Sequence, residues 1–243
     1  MNKGSKTRIF DLILAIPAFV ITLPVMFVIG VVIVLNSHGP AVFRQNRVGH
    51  RGRIFTFYKF RTMSEDPDAI HLSVTDRQRV TRIGKFLRKS KLDELPQLWN
   101  VIKGDIGFVG PRAEIPQYVD MEDAAWREVL ESRPGITSPT TIALKNEEEL
   151  INSARGDHRD FYTHVLVPFK LNSYIRYERS RTLFSDFVVI LQTAGVVLFS
   201  RLIGVQVFES IADLRNAVRQ GAMEDLPEYT DLGFDRDERV REV

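Results

Sequence analysis

From Leu12 to Leu35 the chain runs 24 residues without a charge, and this stretch constrains the fold more than any other. At about 1.5 Å per residue a helix of that length crosses the hydrocarbon of a bilayer. It exceeds an ordinary signal-peptide core and no small-residue cleavage site follows, so it is expected to be retained. Pro24 lies near its middle, where it removes one helical hydrogen bond and frees the carbonyl of Val20. Lys3, Lys6 and Arg8 flank one side, and Arg44, Arg47, Arg51 and Arg53 the other. Positive flanks favour the cytoplasmic side, so both ends ask for the same face. A helix turned back at Pro24 satisfies them. A kinked spanning helix also tolerates the proline, and physics alone leaves both readings open. A buried core helix fits an uncharged run of this length least.

The rest of the chain is long enough for one domain with appendages. With no cysteine, disulfides, zinc-thiolate sites and thiol nucleophiles are excluded, and the five scattered histidines show no metal-ligand spacing. Net charge is +2, but Arg44 to Lys91 carries thirteen Lys/Arg against four Asp/Glu. Glu224 to Glu242 carries eight acids against three arginines. A basic front and an acidic tail point to an anionic partner near the front.

Three parts are expected: a membrane segment over 1–36, a main domain over 37–204 and an extension with an acidic tail over 205–243. Ala41–Gln45 and Ile54–Phe60 read as short strands around a basic turn, and Ser64–Asp76 as an acidic loop. The basic, aromatic second strand lacks the glycine–aromatic order of an RNA-binding strand, so its rings are assigned to the core. Thr81–Lys89 reads as a short basic helix, Gln117–Glu131 as a helix and Ser138–Thr141 as a loop. Glu147-Glu148-Glu149 reads as a solvated charge run. Pro168 starts a helix with Leu171, Tyr174 and Ile175 inward. Phe187–Phe199 is core or lies at the membrane interface.

The chemistry concentrates at Lys91-Leu92-Asp93-Glu94-Leu95-Pro96-Gln97. Proline belongs in a first helical turn, which sets a helix start at Asp93–Leu95 and a stop at Gly104. Leu95, Leu98, Trp99 and Ile102 are then expected on its buried face. Taken alone, Asp93 and Glu94 are an N-cap and a first-turn acid. Their setting changes that reading: Arg88, Lys89 and Lys91 precede them, and Gly107 to Arg112 closes with an arginine. Paired carboxylates among cations and beside a glycine-rich turn suit a metal-bridged phosphate.

Six ordered motifs are similar to the bacterial sugar transferases, monotopic phosphoglycosyl transferases acting on a polyprenyl carrier. They are Lys6–Asp11 ahead of Leu23-Pro24-Val25, Gly39–Gly49, Tyr58–Met63, Leu92–Gln97, Gly107–Arg112 and Arg133–Thr137. The resemblance implies a mostly helical α+β fold with a re-entrant membrane helix turning at Pro24. It implies transfer of a sugar-1-phosphate from a UDP-sugar to polyprenyl phosphate with release of UMP. Asp93 is then the nucleophile and Glu94 a ligand of Mg²⁺, with Lys59, Arg61, Arg88, Gly110, Pro111 and Arg112 at the substrates. The domain would lie on the cytoplasmic face of the bacterial inner membrane, against its lipid, with a homodimer left open and no nucleic acid bound. Many members follow Thr137 with Gly-Trp-Ala-Gln-Val-Asn-Gly, where this chain has Ser138-Pro139-Thr140-Thr141-Ile142-Ala143-Leu144, so the sugar stays open. Some members also carry an acid in the helix holding Lys170–Tyr174. A membrane-anchored scaffold and a basic nucleic-acid-binding module are the competing classes.

Overall fold

The computed structural model describes residues 3–64, 79–154 and 157–198. Most of the expected acidic loop and the whole of the 205–243 extension therefore fall outside the described residues. Helix α1 (Lys3–Asn36) remains helical through Pro17 and Pro24, so the expected division into two arms is not seen as a break in secondary structure. Two prolines cost two hydrogen bonds, a loss that the remaining turns of a helix this long absorb. Thr22 Oγ1 donates to the carbonyls of Ala18 and Phe19 at 2.7 and 3.2 Å, one turn ahead of Pro24. By length and composition α1 is able to cross a membrane, and Val20, Ile21 and Phe27 on it are exposed. That is consistent with a membrane anchor.

One stripe of α1 is docked along its length on a mostly helical α+β body. Arg8 donates to the carbonyls of Val101 and Ile102, and Asp11 accepts from the Phe108 N–H at 3.1 Å. Ala15 packs with Phe55, Val101 and Ile106, and Ile33 with Phe60 and Leu87. The spacing from Arg8 through Asp11, Ala15, Met26, Ile29 and Ile33 is that of one helical face.

β1 (Val42–Val48) and β2 (Ile54–Phe60) form an antiparallel hairpin. The first strand runs further than expected, because Arg51 and Gly52, at φ 54° and 73°, confine the reversal to a short turn. Phe55, Phe57 and Phe60 are buried, as expected of core rings. Thr81 caps α2 (Arg82–Ser90), accepting from the Gly84 N–H at 2.9 Å. A 3-10 turn (Leu92–Glu94) leads through Pro96 into α3 (Gln97–Lys103), and Gly104 ends it at φ 87°.

The buried face of α3 differs from expectation: Gln97, Leu98, Asn100 and Val101 point inward while Trp99 is 47 % exposed. Asn100 sets this rotation by joining β2, accepting from Tyr58 N–H at 3.2 Å and donating to Thr56 O at 2.7 Å. Trp99 is left against Phe19 of α1, ring centroids 5.9 Å apart.

β3 (Gly107–Val109) pairs in parallel with β4 (Gly135–Thr137). A Cβ on Gly135 would lie 2.2 Å from Gly110 N, so this approach requires glycine. The expected helix at Gln117–Glu131 shrinks to α4 (Ala124–Leu130), restarted by an Asp123 cap. The expected loop after Thr137 is instead α5 (Pro139–Ala143), where Ser138 caps and Pro139 opens the helix. α6 (Glu147–Ser153), α7 (His158–Phe161) and a π-helical turn (Tyr162–Leu166) lead into α8 (Val167–Ser180) and α9 (Leu183–Leu198). α4, α6 and α8 enclose the largest core, around Trp126, Leu150, Leu166, Phe169 and Tyr174.

Candidate active site

Between α2 and α3 the chain reverses at Lys91, which sits in the left-handed region at φ 56° and donates its N–H to Arg88 O. A non-glycine residue there is strained, and such strain gathers at functional corners. The reversal tucks the next turn under the hairpin. Asp93 is 5 % exposed, and its Oδ1 has no partner among the described residues. A buried carboxylate oxygen without a donor is costly, and it marks a place for a ligand. Glu94 faces Arg112 at 3.4 Å.

Arg112 owes its place to the parallel pair. Beyond the strands, Gly110 N–H donates to Thr137 O at 3.0 Å and Gly135 N–H to Pro111 O at 2.9 Å. Gly110 and Pro111 are buried; their contribution is to aim Arg112, not to line the cleft. Arg88, in the last turn of α2, donates to Thr62 Oγ1 at 2.9 Å and to Glu148 at 2.8 Å. Lys59, near the end of β2, lies with its ammonium 5.9 Å from the Phe43 ring. Arg61 lines the cleft too, but its guanidinium is held by the carbonyls of Ser37 and His38, which follow α1. It ties α1 to the site.

These groups share a cleft of about 1750 Å³ lined by twelve Lys/Arg and six Asp/Glu. Burial, then the neighbouring Glu94, pushes Asp93 above the usual carboxylate range, with Lys59, Lys91 and Arg88 opposing. Burial would raise Glu94 as well, but Arg112, Lys91 and Lys59 outweigh it and keep it ionised. Desolvation lowers Lys59 to about 8, against the pull of Asp93. The result is one desolvated carboxylate beside one that stays charged, ringed by cations.

Among the described residues no third His, Asp or Glu joins this pair. That donor set suits Mg²⁺, which takes one or two carboxylates and completes its shell with substrate oxygens and water. The ionised Glu94 fits such an ion carried in by a diphosphate, and the orphaned Asp93 Oδ1 lies beside it.

The cleft wall holds residues that the sequence reading missed. Lys170 of α8 is 3 % exposed and meets Glu147 at 2.7 Å, Glu114 at 2.9 Å and Tyr162 Oη at 3.0 Å. The Glu147–Glu149 run is therefore no simple solvated patch: Glu147 holds Lys170 and Glu148 holds Arg88. A lysine one turn before the inward Tyr174 was the available signal, since a charge on an apolar helical face demands a partner. Lys145, also missed, lines the cleft with its Nζ on Val196 O at 3.2 Å.

The chain belongs to the bacterial sugar transferases: the sequence model of that family matches residues 2–200. Among its relatives, the galactosyl transferase CpsE of Streptococcus agalactiae is 39 % identical over 173 residues, covering 66 % of this chain and 35 % of that protein. The UDP-N-acetylgalactosamine-undecaprenyl-phosphate N-acetylgalactosaminephosphotransferase of Aeromonas hydrophila is 34 % identical over 187 residues, 74 % of this chain and 44 % of that protein. The exopolysaccharide production protein ExoY of Sinorhizobium fredii is 30 % identical over 215 residues, 82 % of this chain and 88 % of that protein. The chain thus spans less than half the length of the first two relatives and most of the third.

Proposed function

We propose that this protein transfers a sugar-1-phosphate from a UDP-sugar to polyprenyl phosphate, releasing UMP, as a membrane step of bacterial glycan assembly. The observation that carries the proposal is the buried Asp93 with an unpartnered oxygen inside a ring of cations. An Asp93 oxygen attacks the sugar-bearing phosphorus, and the bond from that phosphorus to UMP breaks. An acceptor phosphate oxygen then attacks the same phosphorus, breaking its bond to Asp93 and restoring the carboxylate. Burial suits Asp93 to this role, because a desolvated carboxylate of raised basicity is the better nucleophile. Lys59, Arg88 and Arg112 offset the charge of the diphosphate, without which one anion would not approach another. Mg²⁺, held by Glu94, would supply the remaining neutralisation at the phosphate oxygens.

The name of the Aeromonas relative joins a UDP-sugar, undecaprenyl phosphate and phosphotransfer, which supports this reaction class. Membrane placement is argued from α1. Its two ends touch one body, at Val101–Ile102 and at Phe60–Leu87. A helix crossing the bilayer would put those ends on opposite faces, which supports a re-entrant α1, and the basic flanks at Lys3, Lys6, Arg8, Arg44 and Arg47 favour the cytoplasmic face.

The test is Asp93→Asn. It should abolish both UMP release and covalent labelling by the donor's sugar-phosphate, while Glu94→Gln should weaken the dependence on Mg²⁺. Normal turnover by Asp93→Asn would sink the proposal.

A further inference from the structure

Behind Glu94 lies a second cavity of about 310 Å³, enclosed by α1, α3, α5 and α9. Lys91, Glu94, Thr141 and Lys145 line both it and the main cleft, so the two meet at that rim. Away from the rim the lining is apolar, with Leu95, Leu98, Phe108, Ile136, Ile142 and Val196.

Four threonines also line this cavity, and each hydroxyl already has a partner within the protein. Thr22 donates to Ala18 O at 2.7 Å, Thr137 and Thr193 bond each other at 2.7 Å, and Thr141 pairs with Ser138 at 2.9 Å. With a lining that is mostly apolar, a sugar ring would satisfy few of its hydroxyls, and much of its desolvation would go uncompensated. A hydrocarbon suits the cavity. Cations stand at only one end of it: Lys145 spends one of its three donors on Val196 O at 3.2 Å, and Lys91 is exposed. Ala18 and Thr22 of α1 also line it, on the helix whose other residues Val20, Ile21 and Phe27 are exposed and apolar. An occupant thus needs an anionic head beside Glu94 and an apolar tail leading toward the anchor helix.

We infer that this cavity takes the first isoprene units of the polyprenyl acceptor, with its phosphate held by Lys91 and Lys145; the inference rests on the transferase reading above. The volume agrees. An apolar cavity of about 150 Å³ accommodates one benzene ring, so about twice that holds one or two five-carbon units. The acceptor then approaches from the Lys145 side of Glu94, while Lys59 and Arg88 belong to the donor's side of the cleft. The two substrates need not displace each other.

The test separates the two half-reactions. Ala18→Phe fills the cavity. With UDP-galactose or UDP-N-acetylgalactosamine and no acceptor, it should give an undiminished burst of UMP, which also reports an intact fold. With polyprenyl phosphate its acceptor KM should rise about tenfold or more, the effect of excluding two buried methylenes. Lys145→Met should raise that KM as well, and Lys145→Arg should restore it. A full burst with unchanged acceptor KM in Ala18→Phe would overturn the inference. Should that variant fail to fold, the wild-type protein decides, using a short prenyl phosphate that carries a photoreactive diazirine. Adducts within residues 18–22, 136–145 or 193–197 support the cavity, and adducts confined elsewhere overturn it. Wild-type protein that crosslinks there but releases no UMP from any UDP-sugar would refute the transferase reading and leave the prenyl phosphate site standing.

Discussion

Replacing Lys170 by methionine keeps most of the side-chain volume and removes only the charge. In the native protein that ammonium lies within 3.0 Å of Glu147, Glu114 and Tyr162 Oη, with almost no contact with solvent. Burial would raise the Glu114 carboxyl, but Lys170 and then Arg47 hold it below the usual range. Without Lys170, the nearest cation to Glu114 is Arg47 at 4.0 Å. Breaking a buried ion pair from one side costs about 3–5 kcal/mol. The surviving Arg47, and the freedom of the less buried Glu147 to turn to solvent, place this case near 3 kcal/mol. For a chain of this size that lowers Tm by about 6–12 °C. The assay is thermal unfolding in lipid nanodiscs, followed by tryptophan fluorescence. Because the cost comes from a stranded charge, Glu114→Gln added to Lys170→Met should recover more than half of the loss. The deficit should also shrink as pH falls, since protonating the stranded Glu114 in the variant removes the buried charge. In the native protein the sign is opposite: Glu114 is depressed, so its contribution is lost as pH falls. A single variant within about 2 °C of native, or a double variant no better than the single, would refute the reasoning.

Lys59 at about 8 predicts an alkaline limb near that pH in kcat/KM for UMP release, because deprotonation removes a cation facing the diphosphate. Lys59→Arg should abolish that limb; a limb unmoved in the variant assigns it elsewhere. Chelation by EDTA should stop turnover and Mg²⁺ restore it, and full activity in thoroughly chelated enzyme would remove the metal from the site. For topology, the absence of native cysteine permits Ser5→Cys and Ser180→Cys in intact cells. Re-entry protects both from a membrane-impermeant maleimide until permeabilisation, whereas labelling of position 5 alone means a span.

The long apolar helix, the hairpin, the short basic helix and the Asp93–Glu94 corner were legible because each rests on local chemistry. An uncharged run, alternating aromatics, and a proline after two acids are read without knowing what lies opposite. What failed depended on partners distant in sequence. The face of α3 turned because Asn100 completes β2, which ends forty residues earlier by numbering. The acidic run at Glu147 looked solvated because its partners, Arg88 and Lys170, lie on α2 and α8. Arg61 reads as a substrate cation in its motif, yet its guanidinium fastens the exit of α1. Pro24 reads as a break, but one proline does not end a helix whose neighbouring turns keep their bonds.

The docking of α1 bears on how the enzyme responds to its membrane. Only residues 37–41 separate the helix from β1, and the helix is gripped from Arg8 to Ile33. It therefore acts as a strut, not as a tether with slack. A spanning anchor on a flexible linker lets its domain ride up and down as bilayer thickness changes. With α1 re-entrant as proposed, any change in depth would move the whole body, because insertion depth and the height of Asp93 would be a single rigid dimension. Thickening or thinning the bilayer should then leave the gap between Asp93 and the headgroup plane unaltered. The acceptor phosphate would meet the nucleophile at one fixed level, whatever the acyl chain length of the surrounding lipid.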